Sequence, residues 1–150
     1  MNDQHVEPQR LAERVVGAMM ARDAFSQWLG IEVTDVAPNA ATCRMTVRSE
    51  MVNGFGVCHG GIAFSLADSA LAFASNTHGR VTLSVENSIR YPAPIMPGDV
   101  LTAAAVEESA GRRLAFFTVT VRRADGTPVG LFRGTVYRTE RMHFESGTEA

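Results

Sequence analysis

The stretch NGFGVCHGGIAFSLADSALAFASN, residues 53–76, decides how the rest of the chain must fold. Its second half sets Ile62, Phe64, Leu66, Leu71 and Phe73 among alanines without leaving a polar stripe, and a helix that is apolar nearly all round is a buried helix. The stretch nevertheless begins with Cys58-His59-Gly60-Gly61 and carries one carboxylate, Asp68, in its middle. An unpaired ionised carboxylate is costly in an apolar interior, so Asp68 must be paired, protonated, or turned toward a cavity or another subunit.

The flanks supply the cover such a helix needs. Upstream, Leu11, Val15, Ala18, Arg22, Phe25 and Leu29 recur at steps of three and four, which predicts an N-terminal helix over residues 8–29 closed by Gly30. Residues 40–50 alternate instead, with Cys43, Met45 and Val47 on one face and Thr42, Arg44, Thr46 and Arg48 on the other; this is a half-buried strand, preceded by another at 31–36. Four more strand-like runs follow near 82–91, 100–108, 114–123 and 129–138. Between them lie a three-proline segment at 92–99, Ala110-Gly111, and the hairpin signal Asp125-Gly126. The expected architecture is α+β: one domain over residues 1–150, a long central helix wrapped by a curved antiparallel sheet, with residues 1–10 and 139–150 loosely ordered.

Composition narrows the function. A chain of 150 residues with 14 Lys+Arg against 16 Asp+Glu and a net charge of -2 has no global basic field to attract nucleic acid. Two cysteines, Cys43 and Cys58, make no disulfide framework, no apolar run is both long and uncharged enough to span a bilayer, and the polar first ten residues do not read as a secretory signal. The expectation is a reduced cytoplasmic protein that touches neither nucleic acid nor membrane.

Gly60-Gly61 at the mouth of the helix has a chemical reading. First-turn backbone N–H groups lack intrahelical partners and sit at the positive end of the macrodipole, and glycine lets another group's oxygen approach. That is a site for an oxyanion. Asp68, eight residues on, lies ~12 Å further along the same helix at ~1.5 Å per residue, too far to serve the same carbonyl carbon. If the two act together, Asp68 must come from a second helix running antiparallel beside the first, which predicts a two-fold dimer with two composite sites.

Other chemistries find less support. Cys58 and His59 are neighbours on an extended segment and point to opposite faces, so they should not meet as a thiol–imidazole pair. His5, His59, His78 and His143 with the two cysteines offer no zinc spacing, there is no phosphate-loop or dinucleotide glycine pattern, and Ser65 lacks a G-x-S-x-G elbow. No metal and no cofactor is expected.

The pattern Asn53-Gly54, His59-Gly60-Gly61, Leu66-Ala67-Asp68 and Asn76, followed by a strand, a turn ending in Pro97-Gly98-Asp99 and two hairpins, resembles the hotdog-fold acyl-CoA thioesterases. Within them it is most similar to the phenylacetic-acid-degradation, or PaaI-type, branch, and the resemblance runs over residues 29–137. Asp68 stands where the hydroxybenzoyl-CoA branch carries Glu. The resemblance implies that the Gly60 N–H polarises a thioester carbonyl and that Asp68 of the partner chain activates water or attacks directly. It also implies that Asn53 sits near the carbonyl or the water, and that His59 orders the loop or assists at the sulfur.

With coenzyme A as part of the substrate, Gly61, Phe55 and Phe64 would meet the acyl end, and Arg90, Arg112 and Arg113, with Arg122, Arg123 and Arg133, are candidates for its phosphates. The expected activity is hydrolysis of an aryl-acetyl or hydroxyphenylacetyl-CoA to carboxylate and CoA, in a homodimer that pairs further into a tetramer. Medium-chain or hydroxybenzoyl-CoA substrates, a hydratase or dehydratase, and a non-catalytic acyl-CoA-binding module are the alternatives.

Overall fold

The computed structural model describes residues 7–145. Helices α1 (Pro8–Arg22) and α2 (Ala24–Leu29) precede strands β1 (Glu32–Ala37) and β2 (Ala40–Thr46); the long helix α3 (Gly60–Asn76) comes next, followed by β3 (Arg80–Arg90), β4 (Val100–Ala110), β5 (Leu114–Arg122) and β6 (Pro128–Met142). The six strands form one antiparallel sheet in the order β1-β2-β4-β5-β6-β3, and α3 lies against five of them. This is the expected curved sheet around a central helix.

The expected N-terminal helix is two helices. Asp23 breaks it, because its carboxylate accepts from the Ser26 N–H at 2.9 Å and from the Ser26 hydroxyl at 2.6 Å, so it caps a new helix rather than continuing the old one. Gly30 ends α2 in the left-handed conformation at φ 76°. The tail also departs from expectation, since β6 pairs with β3 as far as Met142 opposite Arg80, and Pro8 opens the first turn of α1. The expected looseness of residues 1–6 and 146–150 lies outside the described residues.

Alternation holds on β2, where Ala41, Cys43 and Met45 are buried, and continues through Leu101, Ala103 and Ala105 on β4 and Phe117, Val119 and Val121 on β5. Small residues set the depth of the sheet. A side chain at Gly134 of β6 would run into Leu71 of α3, so glycine there lets the helix sit close. Leu66, Leu71 and Phe73 are fully buried in consequence, each contributing roughly 1.5–3 kcal/mol.

Asn76 locks the far end of α3. Its Nδ2 donates to the carbonyls of Ala72 at 2.8 Å and Thr82 at 3.1 Å, while its Oδ1 accepts from the Thr82 N–H at 2.9 Å and from His143 Nε2 at 2.7 Å. Beside it, His78 accepts the Arg80 N–H on Nδ1 at 3.2 Å, near the half-buried Arg138–Glu107 ion pair at 3.0 Å. Burial first, then the charges of Arg138 and Arg80, push the His78 pKa down to about 4.

An imidazole held neutral in the native state but free to protonate near 6.5 when unfolded gives stability that is whole above that pH and is lost as the pH falls toward about 4. Denaturant midpoints should therefore drop between pH 7 and pH 5, and His78→Gln should flatten part of that drop. An equal slope in the variant would show that another group carries it.

Candidate active site

The start of α3 is built from a turn and a cap. Asn53 accepts the Phe55 N–H on Oδ1 at 2.9 Å, its backbone N–H donates to Val57 at 2.8 Å, and the loop is tied down by Cys58 N–H to Ile95 at 2.8 Å and His59 N–H to Met51 at 2.8 Å. His59 is the N-cap: its Nδ1 accepts from the Gly61 N–H at 2.9 Å, which leaves the ring proton on Nε2. A Cβ at Gly61 would stand 3.0 Å from that Nδ1, so a side chain there would push the capping imidazole aside by a few tenths of an ångström.

Gly60 meets a residue that the sequence reading overlooked. The Tyr91 hydroxyl donates to the Gly60 carbonyl at 2.8 Å, and a Cβ at Gly60 would lie 3.0 Å from the phenol. The Gly60 N–H has no acceptor among the described residues. It lies beside a cleft of about 260 Å³ lined by Val57, Cys58, Tyr91, Ala93, Pro94 and Ile95. Burial raises the Cys58 thiol to about 11, so it stays protonated at neutral pH and is a poor nucleophile.

Asp68 lies on a face of α3 that the described residues leave partly open, along a stripe of Gly61, Ser65, Asp68 and Ala72 at spacings of three and four. The described residues thus do not cover the helix all round. Asp68 Oδ1 accepts from Asn87 Nδ2 of β3 at 2.9 Å. Burial raises its pKa, and hydrogen bonds from Asn87 and Ser84 pull the other way. Asn87 and Ser84 were not legible as partners because a register shift between Ser84 and Glu86 sets the alternation of β3 off by one.

The remaining expected site residues fall in three places. Phe64 is half-buried and packs edge-on against Phe132 at 5.3 Å, near the helix start, whereas Phe55 is 92 % exposed on the turn. Arg90 lines a cleft of about 190 Å³ with Arg133, Thr118 and Thr120. Arg112 and Arg113 are not brought to it: Arg90 pairs opposite Leu131 while Leu114 pairs opposite Tyr137, six positions or ~20 Å away at ~3.3 Å per residue. Arg113 is also engaged, donating to the Tyr137 hydroxyl at 2.8 Å and facing Glu140 at 3.4 Å. Among the described residues no three His, Cys, Asp or Glu side chains converge as a metal site would need.

The sequence pattern of the thioesterase superfamily matches residues 55–129. The chain belongs to that superfamily. It is 36 % identical over 121 residues to the acyl-coenzyme A thioesterase PaaI of Escherichia coli, spanning 81 % of this chain and 86 % of the relative. It is 31 % identical over 125 residues to human acyl-coenzyme A thioesterase 13, spanning 81 % and 89 %. The solved structure of the Escherichia coli PaaI protein superposes with a TM-score of 0.88 at 32 % identity, covering 91 % of this chain and 99 % of that one. The chain is therefore a hotdog-fold thioesterase that resembles the PaaI branch.

A carboxyl with a raised folded pKa is stabilising only while protonated, and that contribution is lost as pH rises from about 3.8 through the folded value. Asp68→Asn keeps an oxygen to accept from Asn87 and removes the charge. At neutral pH the variant should melt at or above the wild-type temperature, and a clear fall in melting temperature would show that the carboxylate stabilises the fold.

Proposed function

We propose that this thioesterase hydrolyses acyl-CoA thioesters, with an aryl-acetyl or hydroxyphenylacetyl group as the preferred acyl part, in a cytoplasmic homodimer that pairs further into a tetramer. The observation that carries the reading is Asp68: a half-buried carboxylate on the open stripe of an otherwise buried helix, eight residues beyond an N–H that no described residue claims.

The separation of ~12 Å along one helix sends the two groups to different copies of one site. A free sheet edge supports the pairing. β3 ends the strand order and exposes Leu83 by 57 % and Val85 by 59 %, a surface that a second β3 would cover. An antiparallel arrangement would bring Asp68 of one protomer toward the Gly60 end of the other.

In that composite site Asp68 takes a proton from water as the water oxygen bonds to the thioester carbon. The carbonyl oxygen becomes an oxyanion that the Gly60 N–H receives, a contribution worth ~100 to 1,000-fold for such a donor. The carbon–sulfur bond then breaks, and CoA leaves as a thiolate that takes up the proton. With a thiol pKa of roughly 8.5, no strong general acid is needed at the sulfur. His59 Nδ1 is occupied by the Gly61 N–H, which supports loop ordering over catalysis. Direct attack by Asp68 to form an anhydride uses the same residues. Asn53 keeps its Nδ2 without an acceptor among the described residues, so that donor is available to the carbonyl or the water. Arg90, with Arg133, is the cation we assign to the CoA phosphates.

Thiol release from phenylacetyl-, hydroxyphenylacetyl-, hydroxybenzoyl-, acetyl-, hexanoyl- and palmitoyl-CoA tests the substrate. Aryl-acetyl thioesters should turn over fastest, and Asp68→Asn should lower kcat by several orders of magnitude with KM little changed. Tight binding without turnover of any thioester would make the site a sensor instead.

Subunit sharing has its own test in Gly60→Pro combined with Tyr91→Ala, with Tyr91→Ala alone as the control: proline removes the N–H at the first helical position and fits after the extended His59, and the alanine clears the phenol that a Cβ at position 60 would meet at 3.0 Å. Mixing the double variant with Asp68→Asn should restore up to about half of the wild-type sites in mixed dimers. Absence of rescue despite demonstrated exchange would place both groups on one chain.

A further inference from the structure

The strand beside Asp68 holds a device that a regular strand would lack. Residues 84 and 87 are three apart, and on an even pleat they point to opposite faces. The register of β3 against β6 slips between Ser84, opposite Val136, and Glu86, opposite Thr135, so that Val85 is the extra residue of a bulge. Ser84 and Asn87 then share a face, with Asn87 Nδ2 3.4 Å from Ser84 Oγ and 2.9 Å from Asp68 Oδ1.

Across the ladder, Asn87 is opposite Gly134, and a Cβ there would stand 2.9 Å from Asn87 Oδ1. That Oδ1 is buried and has no donor among the described residues. A buried acceptor left without a donor is costly. The amide is nonetheless turned so that its N–H, which favours a carboxylate anion, faces Asp68.

The geometry assigns Asn87 the role of a positioning residue that holds the Asp68 carboxylate ionised and in one orientation for the reaction; this rests on the reading of Asp68 as the reacting carboxylate. Asn87 touches no substrate in this role and acts through Asp68. The groups acting on that carboxylate are Asp23, at the start of α2, whose charge opposes ionisation, and Ser84 and Asn87 of β3, whose hydrogen bonds favour it against the burial that opposes it. Removing the Asn87 donor leaves burial and Asp23 opposed by Ser84 alone.

The test is the pH profile of kcat/KM for Asn87→Leu, close in size and without the amide, and for Asn87→Asp, which places a second carboxylate beside the first. The acid limb should move to higher pH by about one unit for Asn87→Leu and further for Asn87→Asp. Rates would then fall about tenfold below the limb and recover above it. Asn87→Ser serves if the leucine variant does not fold. In parallel, the carboxyl carbon of Asp68, recognised by its loss in Asp68→Asn, is titrated by NMR in each protein, and its midpoint should rise with the limb.

A limb and a midpoint that stay in place overturn the assignment, whatever happens to the overall rate; so does a midpoint that moves without the limb following. Full activity of Asp68→Asn would sink the catalytic reading instead, and with it Asn87's part in the reaction, while the NMR midpoint would still report whether Asn87 holds the carboxylate.

Discussion

The close seating of α3 in the sheet is the constraint on which the rest depends. Ala103, Ala105 and Gly134 leave enough depth for Leu66, Leu71 and Phe73 to reach full burial, and Asn76 ties the far end of the helix to Thr82 and His143. A curved sheet encloses a helix from one side only. The stripe of Gly61, Ser65, Asp68 and Ala72 stays partly open, and chemistry can be placed there without opening the core.

The site takes its electrostatics from that position. On the open stripe Asp68 is buried enough for desolvation to resist its charge, yet it lies within reach of Asn87 and Ser84, which favour it. These opposed influences leave the carboxyl more basic than one in water while two hydrogen bonds still favour its anion. At the helix start the local demands are of another kind. His59 accepts the Gly61 N–H as a cap, the Tyr91 hydroxyl donates to the Gly60 carbonyl, and the Gly60 N–H has no acceptor among the described residues. The two glycines are fixed by those contacts as much as by any ligand, because a Cβ at either would press on Tyr91 or His59.

Much of this was legible in the residues. Alternation at Cys43 and Met45, the unbroken apolar run after Gly61 and the turns at Gly111 and Gly126 report burial and backbone conformation directly, which are local consequences of side-chain type. The break at Asp23 was missed because period alone cannot tell a continuous helix from two helices in phase; the capping aspartate three residues before Ser26 was the available signal. Arg112 and Arg113 were grouped with Arg90 by charge, but the register against β6 sets them at least six positions apart along that strand.

By itself, the sequence determined that one apolar helix had to be wrapped by antiparallel strands, that Asp68 was out of place in its interior, and that Gly60 stood at the helix's positive end. Those conclusions follow from the period and polarity of neighbouring residues. Only the tertiary structure decided which face of the helix stays open, that a bulge at Val85 turns Asn87 toward Asp68, and that Gly134 makes the space for it. These depend on the pairing of β3 with β6, strands far apart in the chain. A slip of one residue in that register reverses which side chains face the helix, and single-strand alternation carries no record of it.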